Sequence, residues 1–214
     1  MASPEEWIRE ELDLFELPDD YRPRYNIAPT QDVLAVIRAD DGLRAGWLRW
    51  GLIPSWAKDP AIGNRMINAR AETIASKPAF RDAFRRRRCL IVADGFYEWQ
   101  EVGSARVPMW IHRASHRPFT FAGIWDRWKP PEGEPIFSCA IITTEANDAL
   151  RPIHERMPVI LPPEDRATWL DPDADPETLA ALLRPYPGDD LRAHAVSTLV
   201  NSPRNDLPEC IEPV

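Results

Sequence analysis

A chain of 214 residues with 44% hydrophobic content can bury the core of one large domain or two small ones. It holds no run of about 18 apolar residues, and its acidic start (Glu5, Glu6, Glu10, Glu11) has no apolar signal core, so neither a spanning helix nor a leader is expected and the cytoplasm is the expected location. A net charge of −8 argues against a broadly basic nucleic-acid-binding surface but leaves room for a narrow basic channel, for which Arg22, Arg24, Arg49, Arg65, Arg70 and Arg156 are available.

Ser3-Pro4-Glu5-Glu6 reads as a helix start, with Ser3 as cap, Pro4 at the first helical position and Glu6 closing a capping box. Trp7, Ile8, Leu12 and Phe15 follow at helical spacing. A proline-containing loop through Tyr25-Asn26-Ile27-Ala28-Pro29-Thr30 leads to the strand-like run Val33-Leu34-Ala35-Val36-Ile37. Asp40-Asp41-Gly42 predicts a hairpin turn, and residues 43–50 its partner strand. Residues 57–66 read as loop. Ser76-Lys77-Pro78 predicts the opening of a short helix carrying Phe80 and Phe84, ended by a solvated run of cations from Arg85 to Arg88. Strands are expected near residues 89–94, 96–100, 109–112, 119–124, 137–143 and 193–197. Asp175-Pro176-Glu177 predicts a late helix with Leu179, Leu182 and Leu183 as its apolar stripe. Several strands with short helices and no βαβ rhythm predict an α+β fold: a mixed, largely antiparallel sheet or barrel-like core with short peripheral helices, as a single domain over residues 1–214. The 23 prolines are spread along the chain and indicate long ordered loops, not a linker.

The three cysteines, Cys89, Cys139 and Cys210, are an odd number without framework spacing, so no disulfide scaffold is expected. Cys89 and Cys139 lie in strand-like runs and read as buried thiols. Four histidines outside any ligand spacing imply no metal, and no cofactor is expected.

Three segments place ionisable or amide groups among apolar neighbours: Ile67-Asn68-Ala69-Arg70-Ala71-Glu72, Ala93-Asp94-Gly95-Phe96-Tyr97-Glu98-Trp99 and Pro152-Ile153-His154-Glu155-Arg156-Met157-Pro158. Such groups are costly to bury unless they are paired or used. Strand alternation puts Phe96 and Glu98 on one face and Tyr97 and Trp99 on the other. Read alone, Glu98 is either a solvent-facing glutamate or a carboxyl whose pKa is raised for acid–base work. Asn68 and Arg70 are either a turn amide and a surface ion pair or an orienting amide and a phosphate grip. His154 is either structural or a proton donor. Trp56, Tyr25 and Pro29 are either core or a platform for stacked bases.

Together with Tyr25-Asn26-Ile27-Ala28-Pro29, Trp50-Gly51-Leu52-Ile53-Pro54 and the closing Val196-Ser197 through Glu212-Pro213-Val214, these strings resemble the SRAP family, the SOS response-associated peptidases and abasic-site-processing proteins, from residue 20 to the end. The resemblance implies an enzyme that binds single-stranded DNA at an abasic site, with Asn68, Glu98 and His154 as catalytic residues. Arg70, Arg156, Trp56, Pro29 and Asn26 would contact DNA. It also implies a monomer that touches no membrane. Where the family often carries two aromatic residues, this chain reads Trp56-Ala57, which weakens any strand-separating wedge.

One departure matters as much. The family begins Met-Cys-Gly-Arg, and that cysteine is its nucleophile, whereas this chain begins Met1-Ala2-Ser3-Pro4 with no cysteine before Cys89. Three explanations stay open: a truncated or mis-assigned start, a non-crosslinking homologue that still binds abasic or single-stranded DNA, or a retained fold with another binding role. The intact downstream set favours the first. A peptidase acting in trans is the alternative from another class, although no Gly-x-Ser-x-Gly elbow or Cys–His signature accompanies it.

Overall fold

Five strands close into a ring. In the computed structural model, which describes residues 1–14 and 16–214, β1 (Asp32–Ala39), β2 (Gly42–Trp50), β4 (Arg88–Ala93), β7 (Phe119–Trp128) and β8 (Ile136–Glu145) pair in the order β7-β4-β1-β2-β8, and β8 returns to β7. All of these pairings are antiparallel except β2 with β8, which runs parallel through Arg49↔Ser138 and Trp50↔Cys139. Three short strands extend the ring: β3 (Asn68–Arg70) and β9 (Arg156–Pro158) flank β8, and β10 (Ile160–Leu161) pairs with β7. A second sheet orders β11 (Leu191–Ala195), β6 (Ala105–Arg113) and β5 (Gly95–Val102), all antiparallel.

Closure explains the continuous apolar runs. Every residue of β4 is buried, as are Val33 to Val36 of β1, because both faces of the wall are covered. One side-chain parity, with Val33, Ala35, Cys89, Ile91, Phe121 and Cys139, forms a cluster with no α-helical member, as the inside of a ring requires. The other parity, with Leu34, Val36, Leu90, Val92 and Ile124, packs under α1 (Glu5–Leu12) through Ile8 and Leu12, under α3 (Pro163–Leu170) through Trp169, and under α4 (Pro176–Ala181) through Leu179. No helix of the described residues is long and apolar enough to cross a membrane.

The hairpin at residues 40–42 and the late helix form where the sequence places them, the latter with the Asp175 side chain accepting from the Glu177 and Thr178 amides. Other boundaries differ. Ser3 does not cap α1: the helix begins at Glu5 after Pro4 without a side-chain cap. The Ser3 hydroxyl instead donates to Asp94 Oδ1 at 2.5 Å, so a long-range carboxylate displaces the local capping box. Phe15 lies outside the described residues. Residues 60–65 form a 3-10 helix where a loop is expected, capped by Asp59 accepting from the Ala61 amide at 2.8 Å. The short helix α2 (Arg81–Arg86) starts later than Ser76. The cation run after it is only half solvated. Arg85 and Arg86 are exposed, whereas Arg87 reaches Asp126 at 3.2 Å and Arg88 is buried.

Candidate active site

A cavity of about 480 Å³ opens between the inside of the ring and the second sheet. Asn68 reaches it from β3, Glu98 from β5, Thr143 from β8, and His154 and Arg156 from the start of β9. The three segments singled out by sequence thus meet in one place although they are far apart in the chain. Pairing explains how: β8 has β3 on one side (Arg70↔Thr143) and β9 on the other (Thr143↔Pro158), so the Asn68 and His154 segments are held one strand apart.

Two glycines make the geometry possible. A Cβ on Gly95 would meet the Trp110 ring at 2.6 Å, so only glycine lets β5 lie this close to β6 three residues before Glu98. Gly51 has φ +132°, and a Cβ there would meet the Gly63 carbonyl oxygen at 2.6 Å. That close crossing folds residues 51–66 back so that β3 can enter beside β8, and the Trp50 indole donates to the Ile67 carbonyl at 2.9 Å on the way.

The alternation around Glu98 is realised. Phe96 packs on Phe121 in the inner cluster at 5.8 Å. On the other face the Tyr97 hydroxyl donates to the Tyr25 carbonyl at 2.7 Å, and the Trp99 indole donates to Asn201 Oδ1 at 2.8 Å. Burial raises the Glu98 carboxyl pKa, and His154 acts in the opposite direction. His154 Nδ1 lies 3.9 Å from Glu98 Oε1. That same Nδ1 lies 3.1 Å from both the Arg156 amide and the Arg156 carbonyl, so it accepts from the one or donates to the other according to the tautomer. A carboxyl and an imidazole this close form an arrangement able to give or take a proton. Both residues also line a second recess of about 530 Å³ with Trp99, Arg106 and Arg151.

Arg156 is not free. Its Nη1 and Nη2 donate to the two oxygens of Glu72 at 3.0 and 3.1 Å, and Nη2 also donates to the Thr143 carbonyl at 2.7 Å. Hydrogen bonding from Arg156 holds the Glu72 carboxyl below its ordinary pKa, with a further charge effect from Arg70. Arg70 itself is exposed. Sequence reasoning places Glu72 inside a motif without giving it a role; only its position two residues beyond Arg70 marks it.

Asp94 is a second residue that sequence reasoning misses. It accepts from the Ala2 amide, from the Ser3 amide at 3.1 Å and from the Ser3 hydroxyl, and so ties residues 2 and 3 to the edge of the cavity that Met1 lines. Other expected DNA contacts are placed differently. Pro29 lines the main cavity and is exposed. Asn26 also borders it, but its amide nitrogen donates to the carbonyls of Val200, Ser202 and Asn205 at 3.0, 3.1 and 3.0 Å, a fastening for the cavity wall. Trp56, 59% exposed, lines a separate recess with Lys58 and Arg65, so it does not share a platform with Tyr25 and Pro29. Of the arginines read as a channel, Arg24 is held by Asp206 at 2.7 Å and Arg49 by Asn64 at 3.2 Å.

The fold and site define a closed β-ring protein whose cavity gathers a carboxyl, an imidazole and an arginine. The chain matches the family model described as SOS response associated peptidase (SRAP) over residues 1–203, reaching further back than the motif strings do. It is 49% identical over 203 residues to the abasic site processing protein YoqW of Bacillus subtilis (strain 168), covering 94% of this chain and 91% of that protein. It is 36% identical over 241 residues to the abasic site processing protein HMCES of Gallus gallus, covering 98% and 69%. A crystal structure of a Bordetella bronchiseptica protein matches with TM-score 0.80 at 30% identity, covering 92% and 97%. The chain belongs to the SRAP family.

Proposed function

We propose that this cavity binds single-stranded DNA at an abasic site and serves the family's abasic-site chemistry. The observation that carries the reading is the gathering of Asn68, Glu98, His154 and Arg156 around one cavity. An abasic site exists partly as an open-chain aldehyde. In the complete family form, removal of the initiator methionine exposes a cysteine with a free α-amine and thiol. The amine condenses with the aldehyde, releasing water, and the thiol adds across the imine to close a thiazolidine. His154 supplies the proton for sugar opening, Glu98 is the base that serves methionine removal and amine activation, and Asn68 holds the amine. Arg70 and Arg156 grip flanking phosphates.

The chain's own thiols cannot replace that nucleophile. Cys89, Cys139 and Cys210 are all buried, and burial raises the thiol pKa of Cys89 and Cys139. Incubated with abasic single-stranded DNA without reductant, this chain is expected to give no heat-stable shifted band on a denaturing gel. Adding Met-Cys-Gly-Arg and a short strand-like segment before Ser3 is expected to create one. In that extended protein Glu98→Gln should retain methionine, and His154→Ala should be processed but crosslink slowly, two outcomes that intact mass separates. An extended protein that folds, loses its methionine and never crosslinks would sink the reading.

A further inference from the structure

Glu72 occupies the two-bond face of Arg156. Both of its oxygens meet the two terminal nitrogens of Arg156 in the parallel two-bond geometry that an arginine offers to phosphates. A guanidinium has five N–H donors. Glu72 takes one on each terminal nitrogen and the Thr143 carbonyl takes another on Nη2. Nε is buried without a partner. One Nη1 hydrogen remains, so a phosphate cannot obtain a second parallel bond while Glu72 stays in place. Arg70, the other arginine read as a phosphate contact, acts on the same carboxylate through space.

We propose that Glu72 is an internal competitor for the phosphate site of Arg156 and makes phosphate binding there conditional on a strand anchored elsewhere in the cavity. The proposal rests on the reading of Arg156 as a phosphate contact. A tethered carboxylate competes at an effective concentration in the millimolar range, so free phosphate at lower concentration does not displace it. A strand already held by its abasic sugar is itself tethered and carries phosphate at comparable effective concentration. Glu72 is also the more exposed partner, with 46% of its side chain accessible against 20% for Arg156, so it can swing into solvent without unpacking the wall. The site thereby discriminates against stray anions while accepting a polyanionic strand.

The test compares wild type, Glu72→Gln, Arg156→Ala and the double variant. Anisotropy with a short abasic single-stranded oligonucleotide is read at stepped salt. The ¹⁵N-resolved Arg156 Nε–H signal is followed as inorganic phosphate is added. Glu72→Gln should bind the oligonucleotide several-fold more tightly with an unchanged log–log salt slope, because Arg156 grips the same phosphate in both proteins. Its Nε–H signal should respond to sub-millimolar phosphate while the wild-type signal does not, and the double variant should match Arg156→Ala. Equal or weaker binding by Glu72→Gln, or a wild-type signal that responds to phosphate as readily as the variant's, overturns the proposal. If wild type binds no single-stranded DNA at all, the functional reading fails separately, and the phosphate response still decides the role of Glu72.

Discussion

Arg88 and Arg156 are both held by several oxygens, yet they stand in opposite settings. Arg88 is 5% exposed beneath α3, and its donors go to four backbone carbonyls: Trp169 at 2.7 Å, Phe84 at 2.9 Å, and Arg85 and Asp171 at 2.5 Å each. Those partners are neutral and fixed by the chain, so no solution anion can take their place without unfolding the wall. Arg156 stands at a cavity and is held by the carbonyl and hydroxyl of Thr143 and by one carboxylate on a half-exposed side chain. Residue type alone does not tell such settings apart; the exposure and charge of the partners do.

The contrast between the two arginines is broken most forcefully at Arg88. Arg88→Ala takes the donor from four carbonyls, two of them in fully buried bonds, and a loss of about 1–3 kcal/mol for each buried carbonyl left unpaired is expected in thermal or denaturant unfolding. Any DNA affinity that survives should keep its salt slope. Asn26→Ala tests a neutral version of the same device. Removing three donations to the 200–205 segment should cost about 1–3 kcal/mol, and a variant as stable as wild type would show that the amide is not a fastening. Arg156→Ala should cost at most about 1 kcal/mol of stability, because its ion partner is half exposed. Its effect should emerge as weaker DNA binding.

The smallest effects are in pH dependence, where two carboxylates of one site should differ in sign. Glu72 has a lowered pKa, so its contribution is present above the unfolded carboxylate pKa and is lost as pH falls through the folded value. Glu98 has a raised pKa, so its contribution is present when protonated and is lost as pH rises through the folded value. Unfolding curves should therefore show Glu98→Gln more stable than wild type at pH 7, with the gap closing in acid. Glu72→Gln should be slightly less stable at pH 7, and that gap too should close in acid. Gaps of the same sign at pH 7 would contradict the assigned environments.

The motif segments and most strands are legible in the sequence because period-2 runs and turn residues act locally. The hairpin at 40–42 and the Asp175 cap are of this kind. Long-range competition is what local patterns miss. Ser3 abandons its helix for Asp94, and Arg88 leaves a solvated run for carbonyls of a distant helix end. The pairing of Glu72 is hidden for the same reason: its partner lies 84 residues away, on the far side of β8. Trp56 reads as a stacking platform because spacing reveals aromatic character but not which recess a loop will face. The closing pairing of β8 with β7 makes the sheet a ring, and no local pattern marks it.

The most direct measurement is the salt dependence of binding to an abasic single-stranded oligonucleotide, for wild type and for the Arg70→Ala/Arg156→Ala double variant, with an intact duplex as control. Wild type should prefer the single strand, and its log–log slope should exceed that of the double variant by about 0.7 for each phosphate the variant no longer grips, with both proteins melting alike. Equal affinity and equal slope for the two proteins at low salt would contradict the assignment of this cavity to DNA.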